Sequence, residues 1–289
     1  MSAPQPLHRG TLAAYPLPRV VDGDKNSKGR ILILAGSRDV PGAALLAARA
    51  AMRAGAGRLR IGTVASVAAQ LGVAMPEAMV IGLPEHRDGG FAGSAVERIA
   101  ELAERADAVV AGMGVEQGDI CTRIASALLE SDAALAIDAA LLHSLDPLAS
   151  SASSRASMPV LLPHSGELAA LLHCDEQEVA AEPLRSGRRA AELYGSVVLV
   201  KGVTSLVVHP DGRCFRFEGG APGLGVSGSG DTLAGIVGGL LARGAEPLQA
   251  LLWAVWLHGS AGERLANRIG PVGFLAREIT DEIPALLPR

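Results

Sequence analysis

The run Gly225-Val226-Ser227-Gly228-Ser229-Gly230-Asp231-Thr232-Leu233-Ala234-Gly235 joins a glycine-rich turn directly to an apolar helical stretch. Glycines let a backbone come close to a bound group, and the first amides of a helix have no intrahelical acceptor. With the positive end of the helix dipole they make an anion site. Asp231 adds a carboxylate in the first turn, placed to act as a base on whatever receives the transferred anion. Phosphoryl chemistry is therefore the first expectation. A plainer role is open as well, in which Asp231 only offsets the helix dipole, an effect of roughly 0.3–1 kcal/mol. The run is neither a G-x-G-x-x-G fingerprint after an early strand nor a Walker A sequence, because no Lys-Ser/Thr follows its glycines.

Four further segments have residue types suited to a ligand. In Val198-Leu199-Val200-Lys201-Gly202-Val203-Thr204-Ser205, a strand ends at a lysine and a tight turn follows. A cation with turn amides and hydroxyls can hold a nucleotide phosphate and ribose, although an isolated lysine at a strand end is more often just exposed. In Leu162-Pro163-His164-Ser165-Gly166-Glu167, Ser165 reads as an ordinary helix N-cap and His164 lies just outside the helix, where it can meet a ligand. Ala111-Gly112-Met113-Gly114 and Ala35-Gly36-Ser37, the latter followed by Pro41-Gly42-Ala43, place glycines after strands, which often serve only the turn. Each segment is weak alone. All of them follow strands, so a parallel sheet would bring them to one rim. No metal-ligand spacing or nucleophile elbow is found, and nothing close in sequence supplies a base for Ser37 or Ser229.

The elements that must position these residues alternate along the chain. Strands are expected over 31–35, 59–64, 78–83, 108–111, 134–137 and 159–162, and helices over 42–53, 67–71, 96–105, 119–130 and 167–172. Continuous apolar strands with helical crossovers indicate a parallel sheet covered on both faces. After Tyr194 the rhythm changes: strands over 197–201, 206–209 and 214–218 lie close together, the last two joined by Pro210-Asp211-Gly212, a hairpin on one edge of the sheet. Helices over 232–243, 248–268 and 275–286 close the chain, and the Ser-rich 149–157 is a surface loop. The fold class is α/β, a doubly wound and mostly parallel sheet flanked by helices. Its ligand site is expected at the carboxyl ends of the strands, in a single domain over 1–289.

Composition agrees with this class. Of 289 residues, 49% are hydrophobic and 19% charged, with 35 glycines, which suits a buried sheet with tight loops. Only 3% are aromatic, so Ala, Leu, Val and Ile must build the core. A net charge of −4 offers no basic field for nucleic acid or acidic lipid. Cys121, Cys174 and Cys214 show no Cys-x-x-Cys spacing and read as buried thiols in a reducing compartment. The first ten residues lack the apolar stretch of a signal peptide, and the greasiest region, 233–257, is interrupted by Arg243, Glu246, Pro247 and Gln249. A cytoplasmic protein that does not span a membrane is expected.

In their order, these motifs resemble the ADP/ATP-dependent NAD(P)H-hydrate dehydratases, a ribokinase-like family, over about 28–286. The resemblance rests on Lys28-Gly29, Ala35-Gly36-Ser37, Gly42-Ala43, Arg53-Ala54-Gly55-Ala56-Gly57, Pro76-Glu77-Ala78-Met79 and Gly112-Met113-Gly114. It continues through Asp138-Ala139, Pro163-His164-Ser165-Gly166-Glu167, Lys201-Gly202, Gly228-Ser229-Gly230-Asp231 and His258-Gly259. The Gly-Ser-Gly-Asp turn alone says only ribokinase-like; Pro76 to Met79 and Pro163 to Glu167 narrow it. The chain departs from the family pattern at Ser165 (usually Pro), Ala140 (usually Asp), Ser205 (usually Thr) and Val226-Ser227 (usually Thr-Gly).

The resemblance implies a single NAD(P)H-hydrate dehydratase domain over 1–289, a lyase that repairs hydrated NADH or NADPH. ADP would phosphorylate the ring hydroxyl, and loss of phosphate would restore the dihydropyridine and leave AMP. Ala43, Gly114, His164 and Asp231 would line the hydrate site. Lys201, Gly202, Val203, Thr204, Ser205 and Gly230 would hold the nucleotide, and the turn Gly228, Ser229 and Gly230 its phosphate. Asp231 would take the hydroxyl proton, with Mg²⁺ bound mainly through phosphates and no dedicated metal ligands. A homo-oligomer, typically a tetramer, and no nucleic-acid or membrane partner are further implications. The epimerase domain fused upstream in many relatives is not found, so no epimerase activity is expected. Two alternatives stay open: a ribokinase-like small-molecule kinase, and a nucleotide-binding regulator without turnover.

Overall fold

The structure, a computed structural model, describes residues 3–19, 28–147 and 155–288. The Ser-rich loop expectation falls largely outside these residues. Ten strands form one sheet among them, in the order β1-β10-β9-β8-β7-β6-β5-β2-β3-β4. The first half of the chain supplies β1 (Gln5–Pro6), β2 (Arg30–Leu34), β3 (Arg58–Val64), β4 (Ala78–Leu83), β5 (Ala108–Ala111) and β6 (Ala134–Ile137). The second half supplies β7 (Val160–Leu161), β8 (Val197–Val200), β9 (Ser205–Val208) and β10 (Cys214–Phe217). Pairing is parallel from β4 through β3, β2, β5, β6 and β7 to β8, then antiparallel through β9 and β10.

The strand order reverses at β2. The chain runs outward through β3 to β4, then returns to the other side of β2 with β5. The loops leaving β2 and β5 therefore diverge and open a crevice at the carboxyl rim, the place where open α/β sheets bind ligands. Those loops are stitched together: the Gly36 amide donates to the Met113 carbonyl at 2.9 Å and the Gly112 amide to Leu34 at 3.2 Å.

Side chains alternate across the sheet, so each strand feeds two cores. Ile31 and Ile33 pack among α1 (Gly42–Arg53), α8 (Ser229–Ala242), α9 (Pro247–Arg268) and α10 (Ala276–Leu286). Leu32 and Leu34 face α3 (Val96–Glu104), α4 (Asp119–Glu130), α5 (Ser165–Leu172) and α7 (Pro183–Leu193). α2 (Ala65–Ala74) lies against β4 at the far edge.

Helix α8 sits unusually deep, and glycine is the reason. A Cβ on Gly235 would lie 2.2 Å from the Ala47 carbonyl oxygen, and one on Gly238 would lie 2.0 Å from a Val110 methyl. Only bare backbone lets α8 touch both α1 and the sheet. This seating fixes where the N-terminus of α8 points.

Most expected elements are found at or within a few residues of their bounds, and the differences have local causes. The hairpin is not the edge: β1 pairs in parallel outside β10. A two-residue strand ending in Pro6 carries no alternation to detect, and an edge is where proline is tolerated. Between Leu172 and Val197, where no element is expected above, lie α6 (Glu176–Ala181) and α7, the latter opened by Pro183 in its first turn. Cys121 and Cys214 are buried thiols as expected, whereas Cys174 is partly exposed.

Candidate functional site

The carboxyl rim gathers the chemistry. β6 ends at Ile137, and the next residue, Asp138, is buried with 3% of its surface exposed. Its Oδ1 accepts from the Ala139 amide at 2.9 Å and from Lys201 Nζ at 2.7 Å. Lys201 follows β8, and its amide donates to the Pro163 carbonyl at 2.9 Å, extending the β7–β8 pairing to His164 and Lys201. Glu167 Oε2 stands 3.8 Å from the same ammonium. One lysine thus bridges two carboxylates, Asp138 directly after β6 and Glu167 in the first turn of α5.

The anion turn lies beside this pair. Gly228 takes the left-handed region at φ 86° as N-cap of α8. The Ser229 amide donates to Val226 and the Thr232 amide to Gly228, which leaves the Gly230 and Asp231 amides without an acceptor among the described residues. Gly230 faces the cluster: its Cβ position is 3.9 Å from Lys201 Nζ and 4.0 Å from Asp138 Oδ2. Burial, and next the charge of Asp138, push the Asp231 carboxyl up to about 6, with Lys201 opposing. Burial likewise pushes Asp138 up, against the pull of Lys201. A carboxylate titrating near 6 is ionised at neutral pH yet more basic than an ordinary aspartate, which suits a general base.

Two imidazoles flank the turn in different roles. His164, not Ser165, is the N-cap of α5: its Nδ1 accepts from the amides of Gly166 (3.1 Å) and Glu167 (3.3 Å), while Glu167 accepts from the His164 amide (2.8 Å). Ser165 is the first helical residue and donates to Glu176 Oε1 at 2.6 Å. The His164 side chain is still 60% exposed, with its Nε2 3.5 Å from Glu167 Oε1. His258, on α9, lies within 3.0 Å of Ser229 Oγ, and burial lowers it to about 4, so it is neutral. An imidazole is therefore next to Ser229 after all, contrary to the sequence reading. Ser229 is itself buried and His258 partly so.

Of the residues singled out from sequence, Ala43 and Gly114 meet at the switch point: a Cβ on Gly114 would lie 2.8 Å from the Ala43 Cβ. Asp231, Gly230, Lys201 and His164 share the same rim. Gly202, Val203 and Thr204 are exposed beyond Lys201, and Ser205 opens β9. Pro76 and Glu77 are not at this rim: they precede β4 and lie at the amino end of the sheet. Asp138, Glu167 and His258 went unassigned. Asp138 had a usable signal, a carboxylate directly after a buried strand; Glu167 reads as half of a capping box; His258 had only its place in the His258-Gly259 pair of the resemblance, since it follows the apolar run 250–257 of its helix.

A doubly wound sheet with an amide turn, a raised aspartate and a lysine at its carboxyl rim defines the ribokinase-like class of phosphoryl-transfer folds. A solved ribokinase-like superfamily protein from Enterococcus faecalis superposes with a TM-score of 0.82 at 26% identity, over 98% of this chain and 95% of that one. The NAD(P)H-hydrate dehydratase family model matches residues 31–285, and the chain belongs to that family. An ADP-dependent (S)-NAD(P)H-hydrate dehydratase from Xanthomonas campestris pv. campestris is 47% identical over 96% of this chain and 94% of that protein. The Bacillus subtilis ADP/ATP-dependent NAD(P)H-hydrate dehydratase, co-crystallised with ATP and Mg²⁺, superposes with a TM-score of 0.86 at 28% identity, over 98% of this chain and 97% of that one. Other relatives, bifunctional NAD(P)H-hydrate repair enzymes, are longer, and the chain spans about half their length.

Proposed function

We propose that this chain is an ADP-dependent (S)-NAD(P)H-hydrate dehydratase acting as one domain over its whole length. The observation that carries the reading is the raised carboxyl of Asp231 beside two unpaired helix amides and the Lys201 ammonium. The nucleotide's terminal phosphoryl would sit on the amides of Gly230 and Asp231. Lys201, Gly202, Val203, Thr204 and Ser205 would hold the rest of the nucleotide, with Gly228 and Ser229 shaping the turn. The hydrated nicotinamide would lie between Ala43, Gly114 and His164, its hydroxyl toward Asp231.

Asp231 accepts the hydroxyl proton as the oxygen attacks the β-phosphorus and AMP leaves. The C–O bond to the new phosphate then breaks, a ring proton is lost, and NAD(P)H and phosphate remain. General-base help of this kind is worth roughly 10²–10⁴-fold, and preorganised amides and the lysine supply the electrostatic part. The donor set suits magnesium carried on the nucleotide: oxygens line the turn, no thiol does, and the imidazole of His258 is paired with Ser229. That ion would neutralise phosphate charge and be held by the phosphates, while Lys201 and the turn amides hold the nucleotide.

No helix among the described residues is long and apolar enough to cross a membrane, and we place the protein in the cytoplasm as a homo-oligomer. The test is ³¹P NMR of the protein with hydrated NADH and ADP. AMP and free phosphate in equal amounts support the dehydratase, whereas a stable phosphorylated product indicates a small-molecule kinase.

A further inference from the structure

We propose that Asp138 is a positioning residue for this reaction: it holds the Lys201 ammonium over the first turn of α8 and sets a second negative charge beside Asp231. The inference rests on the reading of Asp231 as the base. The geometry is built for the task. Oδ1 binds both Lys201 Nζ (2.7 Å) and the Ala139 amide (2.9 Å), while Oδ2 reaches to 4.0 Å from the Cβ position of Gly230. Asp138 is extended, with ψ 167°, and the Ala139 amide that follows donates to its carboxylate; Ala139 itself takes a left-handed φ of 49°. Behind it, Gly112 at φ 116° leaves room for the Asp138 carbonyl, which a Cβ there would meet at 1.9 Å. Adding any side chain at Gly112 would crowd this arrangement.

The charged groups around Asp231 are few. β6 brings Asp138 and β8 brings Lys201; α5 brings Glu167 behind the lysine, and α9 brings the neutral His258, which faces Ser229. α1 and α10 present Leu46 and Ala276 to the turn, and their Arg49 and Asp281 pair with each other at 2.8 Å. Glu278 accepts from the Leu275 amide and Arg277 is exposed. Asp138 is thus the negative charge that acts most directly on Asp231, and after burial it is the larger cause of that carboxyl's upward shift. Its loss acts twice in one direction. The like charge goes, and the ammonium of Lys201 is left unopposed; both make Asp231 a weaker base.

The experiment is a ¹³C NMR titration of the aspartate carboxyls in the wild type, Asp138→Asn and Asp231→Asn. The resonance missing from Asp231→Asn identifies Asp231, and its midpoint lies near 6 in the wild type. In Asp138→Asn that midpoint falls by about one pH unit, the size of one near-charge interaction; an unchanged midpoint overturns the proposal. Should Asp138→Asn not fold, the coupling is read from the other side. Proton linkage is mutual, so the Asp138 midpoint falls in Asp231→Asn, and no fall overturns the proposal equally. These titrations need no turnover, so a protein that failed to restore NADH would refute the proposed activity and leave this result standing.

Discussion

Replacing Gly235 by alanine adds one methyl group where α8 crosses α1. The new Cβ would lie 2.2 Å from the Ala47 carbonyl oxygen and 2.8 Å from its carbonyl carbon and Cα. These are backbone atoms, so no rotamer change relieves the clash, and the helices must part by about 1 Å to reach ordinary contact at 3.4 Å. Overpacking of this kind costs about 1–3 kcal/mol, with the upper part expected against rigid backbone. The better helix propensity of alanine returns about 1 kcal/mol. A net loss of about 1–2 kcal/mol lowers the melting temperature by roughly 2–6 °C. Function suffers more than stability, because α8 carries Asp231 and α1 carries Ala43 and Leu46, whose methyl would stand only 2.4 Å from a Cβ on Gly228. A misplacement of about 1 Å at the reacting groups is worth ~10²-fold in turnover. Calorimetry and turnover at saturating ADP measure both effects, with Gly42→Ala as control, since its Cβ would meet nothing within 4 Å. A Gly235→Ala protein as stable and as active as the wild type would refute the seating of α8 described above.

Asp231→Asn should be more stable than the wild type at neutral pH while losing the chemical step. Folding raises this carboxyl from 3.8 to about 6, so the native state binds the proton more tightly, and stability falls as pH rises through that window. The variant lacks the penalty and should gain about 1–3 kcal/mol above pH ~6, vanishing below pH ~4, by denaturant titration at several pH values. His258 titrates in the opposite sense: held near 4 when folded against 6.5 unfolded, it makes stability fall as pH drops from 6.5 toward 4. His258→Phe should lose part of that acid sensitivity, seen in urea midpoints at pH ~7 and ~5. Gly114→Ala should raise KM for the hydrate more than for ADP, because its methyl would press on Ala43 and the φ of 62° disfavours a side chain; equal effects on both would contradict the assignment of that rim.

How much of this was legible in the sequence depended on the kind of signal. Buried parallel strands such as Ala108–Ala111 and Ala134–Ile137 declare themselves as short apolar runs, and helix Asp119–Glu130 by its period. β1 did not, since two residues carry no period and its place comes from pairing with β10. The Asp231 turn was legible because glycines and a first-turn acid are local features. The Lys201–Asp138 pair joins residues 63 positions apart, and the Ser229–His258 pair residues 29 apart, so each exists only once the sheet and α9 are assembled. Glu167 shows a further limit. Its capping role with His164 is written in the local sequence, but its approach to Lys201 depends on the β7–β8 register.

The most direct test of the account is the return of near-ultraviolet absorbance when the purified protein meets hydrated NADH, Mg²⁺ and ADP, with ATP in a parallel sample. The account predicts that reduced nicotinamide reappears with ADP in step with AMP, and that Asp231→Asn abolishes it while still binding ADP. No return of absorbance with either nucleotide, or full turnover by Asp231→Asn, would contradict it.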